Sequence, residues 1–321
     1  MQASGQKKLL APKVRDHPRE LLRRQDPLYA TAWGAAYVGD SLELMKAVPP
    51  ASVQAVITSP PYALHFQKEY GNVDKEDYVE WFLPFAREIK RVLTDDGSFI
   101  LNIGGSYNPG VPTRSLYHFK LLVALCDEVG FHLAQECFWY NPAKLPAPAE
   151  WVNVRRIRVK DSVECVWWLS PTPWPRADNR RVLVPYSEDM KRLLAKGFRA
   201  TKRPSGHNIT EKFANNRGGA IPSNLIERGN NDSNSDFVKA CKERNRKMHP
   251  ARFPQALPCF FTKLVTDWHD VVLDPFAGSN MTGWTAEDLG RRWLAMELNE
   301  GYLRTSALRF GIDVCPEHGN E

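Results

Sequence analysis

Val53-Gln54-Ala55-Val56-Ile57-Thr58 runs directly into Ser59-Pro60-Pro61-Tyr62. The first part reads as a buried strand, since a short apolar run fits a strand covered on both faces. Proline has no N–H for a ladder, so two in succession end the strand and start a stiff, extended loop. A hydroxyl, two carbonyls and an aromatic ring are then held at the carboxyl end of a strand. In open α/β sheets that is where ligands sit. Taken alone the stretch is equally a surface turn, and the residues around it decide between the two.

Outward from this stretch the chain alternates between two periods. Ala35–Val38 reads as a strand ending at Gly39-Asp40, and Ser41 as the N-cap of an amphipathic helix stopped by Pro49-Pro50. Lys75 to Leu93 reads as a helix, because Tyr78, Phe82, Phe85, Ile89 and Val92 recur at helical spacing. Asp95-Asp96-Gly97 turns into a strand over Ser98–Ile103, and a helix follows from Ser115 to Gly130. His132–Tyr140 and Ser162–Leu169 read as strands. The pattern returns after His249, with a helix over Phe260–Thr266, strands over Val271–Leu273 and Arg292–Glu297, and a last helix from Tyr302 to Phe310. Such alternation predicts an α/β fold with a mostly parallel sheet and helices on both faces.

Between these halves, 171–248 breaks the rhythm. It carries 17 Lys+Arg against 8 Asp+Glu, a surplus of nine in a chain whose total is +6. One segment therefore holds the positive field, which suits a polyanion-binding lobe on a near-neutral body. The expected organisation is an N-terminal arm (1–30), a catalytic half (31–170), a basic lobe (171–248) and a second half (249–321). No apolar run is long enough to span a membrane. The six cysteines include no CxxC pair, so neither a metal site nor a disulfide framework is expected, and a cytoplasmic setting is.

The second half holds the other informative stretch, Asp274-Pro275-Phe276-Ala277-Gly278-Ser279-Asn280-Met281-Thr282. A strand ending in Asp, a tight glycine turn and a helix form a nucleotide-binding layout. Glu297 ends the next strand, placed to accept from both hydroxyls of a ribose. There is no G-x-G-x-x-G cradle for a diphosphate, which favours S-adenosyl-L-methionine over a dinucleotide.

Asp274-Pro-Phe-Ala-Gly-Ser resembles the cofactor motif of the DNA amino-methyltransferases, and Ser59-Pro-Pro-Tyr resembles their catalytic motif in its cytosine-N4 form; adenine-N6 enzymes more often carry Asp or Asn in place of that Ser. The order of catalytic half, basic insert and cofactor half matches the β-class permutation. From about Tyr37 to Phe310 the chain is similar to the PvuII-type cytosine-N4 methylases. Lys68-Glu-Tyr-Gly-Asn, Asn141-Pro-Ala-Lys-Leu-Pro, Glu150-Trp-Val-Asn, Arg203-Pro-Ser-Gly-His and His249-Pro-Ala-Arg-Phe-Pro carry that likeness.

The resemblance implies a Rossmann-like methyltransferase fold with an inserted target-recognition lobe, and a bacterial, nucleoid-associated enzyme of a restriction-modification system. It would transfer a methyl group from S-adenosyl-L-methionine to the N4 amine of a flipped cytosine in duplex DNA. Phe276, Gly278, Ser279, Asn280, Thr282 and Glu297, with Asp274, would form the cofactor site. Asp40 would contact the adenine amine, and Arg252 would pair with the methionine carboxylate. A cognate endonuclease and a homodimer are compatible partners.

The cytosine amine is a poor nucleophile because its lone pair is conjugated into the ring. Acceptors that hold its N–H groups out of plane raise its electron density, and the Ser59 hydroxyl and Pro60 carbonyl, fixed by Pro61, can do so. A target inside the stack must flip out, and Tyr62, Trp139 and Tyr140 offer ring faces to receive it. Arg155, Arg156, Arg203, His207 and Arg217, with Arg158 and Asn224, are the expected DNA contacts. Asn102 stands where the resemblance leads one to expect Asp. Asn can orient Ser59 but cannot take its proton, which favours proton loss to water. The rival readings are an adenine-N6 enzyme on the same scaffold, a protein or RNA methyltransferase, and an inactive DNA-binding module.

Overall fold

In chain order the strands and α-helices are β1 (Tyr29–Ala30), β2 (Gly34–Val38), α1 (Ser41–Ala47), β3 (Val53–Thr58), α2 (Tyr78–Val92), β4 (Leu93–Ile103), α3 (Tyr117–Asp127), β5 (His132–Tyr140) and β6 (Val163–Ser170). They continue with α4 (Glu188–Lys196), β7 (Thr201–Lys202), β8 (Asn208–Ile209), β9 (Leu225–Glu227), α5 (Asp236–Glu243), α6 (Ala256–Val265), β10 (Val271–Asp274), α7 (Met281–Asp288), β11 (Arg292–Glu297) and α8 (Glu300–Ser306). This computed structural model describes residues 17–63, 73–197, 201–202, 208–209, 215–230 and 235–314.

One nine-stranded sheet organises the fold, in the order β1-β2-β11-β10-β3-β4-β6-β5-β9. From β2 to β4 every neighbour is parallel. All six residues of β3 are buried, as a strand covered on both faces requires. Chain order reverses between β3 and β10, so the loops after these strands diverge and leave a crevice at their carboxyl ends. The expected α/β sheet is therefore present, with two reversals: the two-residue edge strand β1 runs antiparallel to β2, and β6 runs antiparallel to both β4 and β5. The amino end of β6 thus lies at the edge where the parallel strands have their carboxyl ends.

Helix α2 starts at Tyr78 rather than Lys75, and its five periodic apolar residues are all buried. Asp95-Asp96-Gly97 lies inside the β4 span as an irregularity: Leu93 pairs with Val53 and Ser98 with Ala55, leaving the residues between them looped out. Phe276 joins the α2 aromatic face, at 5.2 Å from Phe85 and 6.0 Å from Trp81. The two halves of the chain thus share one core beneath the crevice.

The basic segment is less detached than its composition implies. Its strand β9 extends the main sheet beside β5, and Arg176 pairs with Asp267 and Asp270, both at 2.7 Å. The later part of the N-terminal arm is also packed on the core, with Leu22 and Tyr29 buried.

Candidate active site

A cleft of about 590 Å³ opens along the carboxyl edge of the sheet, a size that suits a small-molecule site. One end is lined by Asp40, Phe276–Ser279 and Glu297, the other by Ser59–Tyr62, Asn102, Trp139 and Glu164. The Pro-Pro loop and the glycine turn, more than 200 residues apart in sequence, face the same space because β3 and β10 are neighbours.

At the glycine turn, Glu297 accepts from the Gly278 N–H at 2.8 Å and from the Asn299 N–H at 2.9 Å, one on each oxygen. Each oxygen keeps a further lone pair for a ligand hydroxyl. Gly278 has φ +51°, a left-handed backbone, so the turn depends on glycine for its conformation. Burial pushes the His249 imidazole below its ordinary pKa. His249 packs edge-on against Tyr302 at 4.7 Å, which sets the path of 249–253 over the cleft. Arg252 lines the cleft, and its guanidinium donates to Met248 Sδ at 3.4 Å. Asp40 both caps α1, accepting from the Leu42 N–H at 2.9 Å, and lines the cleft. These groups fit an adenosine bearing a charged amino-acid tail.

Asp274, Asn280 and Thr282 lie beneath the turn, not on the cleft wall. Asp274 is 1% exposed. It accepts from Thr58 Oγ1 at 2.6 Å, Thr282 Oγ1 at 2.7 Å and the Phe276 N–H at 3.1 Å. Burial raises its carboxyl to about 6. Asn280 caps α7 from a left-handed backbone and donates to Tyr29 OH at 2.9 Å. Asp274 and Thr282 hold the turn against β3 and Asn280 ties it to β1, so their effect on a ligand runs through Phe276–Ser279.

At the Pro-Pro end, Tyr62 packs so closely on β4's exit that a Cβ at Gly104 would come within 2.6 Å of its ring. Tyr78 OH donates to the Pro61 carbonyl at 2.7 Å, fixing the second proline. Ser59 Oγ lies 3.1 Å from Tyr62 OH. Asn102 Nδ2 contacts Tyr62 OH at 2.6 Å and Ser59 Oγ at 3.3 Å. Tyr62 OH donates to Glu164 Oε2 at 2.8 Å, and Lys144 Nζ pairs with Glu164 Oε1 at 2.9 Å. Burial and the adjacent Glu164 carboxylate hold the Tyr62 phenol far above its ordinary pKa, so it stays protonated.

Trp139 lines the cleft, and its indole N–H donates to the Arg228 carbonyl at 2.8 Å. Tyr140 is not among the cleft-lining residues; it pairs with Val163 across β6 and its carbonyl accepts from the Arg228 N–H at 2.9 Å. Exposed Arg155 stacks on Trp151 at 5.0 Å and pairs with Glu150 at 2.8 Å. Arg158 instead braces Tyr107 and Asp161. Arg156 and Arg217 are exposed, while Arg203 and His207 lie outside the described residues, as does Lys68-Glu-Tyr-Gly-Asn. Asn224 is a structural anchor, not a free reader: it donates to the Glu136 carbonyl at 2.7 Å and accepts from the Phe138 N–H at 2.8 Å. Glu164 and Lys144 were not singled out as site residues from sequence. The only signal was that Lys144 falls in the Asn141–Pro146 stretch.

Comparison with known proteins matches this arrangement. A family model described as DNA methylase matches residues 53–308. The type II methyltransferase M.PvuII of Proteus hauseri is 48% identical over 287 residues, covering 88% of this chain and 85% of that one. A solved structure titled PvuII DNA methyltransferase (cytosine-N4-specific) superposes with a TM-score of 0.73 at 42% identity, covering 92% of this chain and 91% of the other. A putative DNA modification methylase from Thermus thermophilus, solved with S-adenosyl-L-methionine, shares the fold with a TM-score of 0.51 at 22% identity, over 86% of this chain and 94% of that one. With the Pro-Pro loop, the glycine turn and the permuted order all inside the matched span, the chain belongs to the DNA methylase family of amino-methyltransferases.

Proposed function

We propose that this chain methylates the N4 amine of cytosine in duplex DNA, using S-adenosyl-L-methionine. The observation that carries the reading is Ser59, held by Tyr62 and Asn102 at the head of a cleft whose other end presents Glu297 and the glycine turn. When bound, the sulfonium supplies the methyl group: the N4 lone pair forms the N–C bond as the C–S bond breaks and its electron pair stays on sulfur. Asp40, Glu297, Phe276 and Arg252 position that donor. Ser59 Oγ and the Pro60 carbonyl accept from the amine and hold its lone pair towards the methyl carbon, so that orientation supplies most of the rate. Trp139 and Tyr62 provide apolar walls for the extruded base.

The basic segment, with exposed Arg155, Arg156 and Arg217, holds the DNA backbone and reads the site, and Arg203 and His207 belong to the same proposal. The protein acts on the bacterial chromosome beside a cognate endonuclease whose cut it blocks. Among the described residues no helix is long and apolar enough to cross a membrane. Methylome sequencing of a host expressing the chain tests the reading. A single short motif modified at cytosine N4 supports it, and a host methylome unchanged by expression of an intact, folded chain refutes it.

A further inference from the structure

The buried face behind Ser59 contains a carboxylate with a defined route to the serine. Glu164 is the second residue of β6, lines the cleft, and among the described residues is reached by three side chains: Tyr62 OH at 2.8 Å, Lys144 Nζ at 2.9 Å and Asn102 Nδ2 at 3.4 Å. Lys144 holds one carboxylate oxygen, leaving Oε2 for the other two.

The polarity of these bonds follows from proton counting. A carboxylate only accepts, so the Tyr62 proton points at Glu164. Tyr62 has no second proton, so in its 3.1 Å contact with Ser59 the serine is the donor. The Asn102 amide is fixed by the same logic. Its inner atom faces three oxygens, those of Tyr62, Ser59 and Glu164. Nitrogen there directs its two N–H groups at these acceptors, the shortest contact being Tyr62 OH at 2.6 Å, whereas oxygen there would face the carboxylate at 3.4 Å. With its proton committed to Tyr62, Ser59 Oγ keeps a lone pair free to accept from a substrate N–H.

We infer that Glu164 is the terminal acceptor of a chain, Ser59 to Tyr62 to Glu164, that orients Ser59 as an acceptor and removes the proton released by the amine. The inference rests on Ser59 facing the target amine, as proposed above. Once the N–C bond has formed, the amine nitrogen carries a positive charge and one proton too many. That proton passes to Ser59 Oγ as the Ser59 proton moves to Tyr62 and the Tyr62 proton moves to Glu164 Oε2. Serine and tyrosine end unchanged, the carboxylate becomes a neutral acid, and the methylated amine is neutral. Glu164 later returns its proton to solvent. The phenol is held protonated throughout, so it conducts the proton and does not store it. This replaces proton loss directly to water, the route that Asn102 suggests when read without β6. Glu164 is a positioning residue, acting on the amine only through Tyr62 and Ser59.

The test is single-turnover methyl transfer to unmethylated genomic DNA across a pH series. It compares wild type, Glu164→Gln, Tyr62→Phe, their double variant, and Glu164→Gln with Asn102→Asp. Affinity for S-adenosyl-L-methionine is measured by calorimetry and for DNA by filter binding. Each single change is expected to lower the transfer rate about a hundredfold, a typical loss for one proton-transfer group, with both affinities within about threefold of wild type. The double variant is expected to match the singles, because one chain is broken once. Asn102→Asp places an acid beside Ser59 and is expected to restore at least about tenfold of the Glu164→Gln loss, with a rate that climbs as pH rises through the new carboxyl's pKa. A wild-type rate in Glu164→Gln, multiplicative losses in the double variant, or no restoration by Asn102→Asp overturns the inference. Ser59→Ala separates the two levels: if it is inactive while Glu164→Gln is fully active, the chain fails and the site stands. If Ser59→Ala is itself fully active, the site assignment fails.

Discussion

Thr58 Oγ1 donates to Asp274 Oδ1 at 2.6 Å, with both residues at most 1% exposed. This bond joins the ends of β3 and β10, the two strands whose loops build the cleft, across 216 positions of sequence. Burial raises the Asp274 carboxyl from 3.8 to about 6. The folded protein therefore holds this proton more tightly than the unfolded chain between these values. Its contribution to stability is full below about pH 4 and is lost as pH rises through about 6. A shift of about two units corresponds to about 3 kcal/mol. Urea midpoints of wild type and Asp274→Asn, measured from pH 4 to 7, are expected to show wild type's relative stability falling by that order as pH rises. A pH-independent difference would contradict it.

Glu297 is held by two backbone N–H groups, from Gly278 and Asn299. Glu297→Gln replaces one acceptor oxygen with a donor facing one of those N–H groups. It is expected to weaken S-adenosyl-L-methionine binding by at least about tenfold, the loss of roughly one charge-assisted hydrogen bond. Affinity for DNA is expected to stay unchanged. Calorimetry with each ligand checks this.

Gly104 is where the Tyr62 ring packs onto the β4 exit. Gly104→Ala pushes a methyl group into that ring, and such overpacking costs about 1–3 kcal/mol. Because Tyr62 also aligns Ser59, transfer is expected to fall by at least about a hundredfold, since small misplacements have that effect on positioned reactants. A thermal melt and a transfer assay on the same preparation separate the two losses.

Arg155, Arg156 and Arg217 are exposed surface cations. Changing each to Ala is expected to weaken DNA binding without altering which bases are modified. Each change should reduce the slope of log K against log salt by about one if the residue binds phosphate. Filter binding from low to moderate salt measures the slope.

Much of this was legible because its signals are local. The buried β3 run, the Pro-Pro stop, the α2 periodicity and the β10–turn–α7 layout each carry their own chemistry. Glu164 was not legible, and the reason is topological. In a parallel strand the second residue would sit at the edge away from the loops. Only the reversal of β6 brings it to Tyr62, and periodicity does not report strand direction. Asn224 and Tyr140 looked like binding groups by residue type, yet both serve the β5–β9 edge. Composition marked 171–248 as foreign, but three of its residues form β9 in the main sheet, too short a run to register as a strand.

The most direct test of the central claim is the identity of the modified base. DNA incubated with the protein and S-adenosyl-L-methionine, digested to nucleosides and resolved by mass spectrometry against standards, is expected to contain N4-methylcytosine. The product should be absent from the Ser59→Ala variant. N6-methyladenine as the product would contradict the account, and so would N4-methylcytosine formed at an undiminished rate without Ser59.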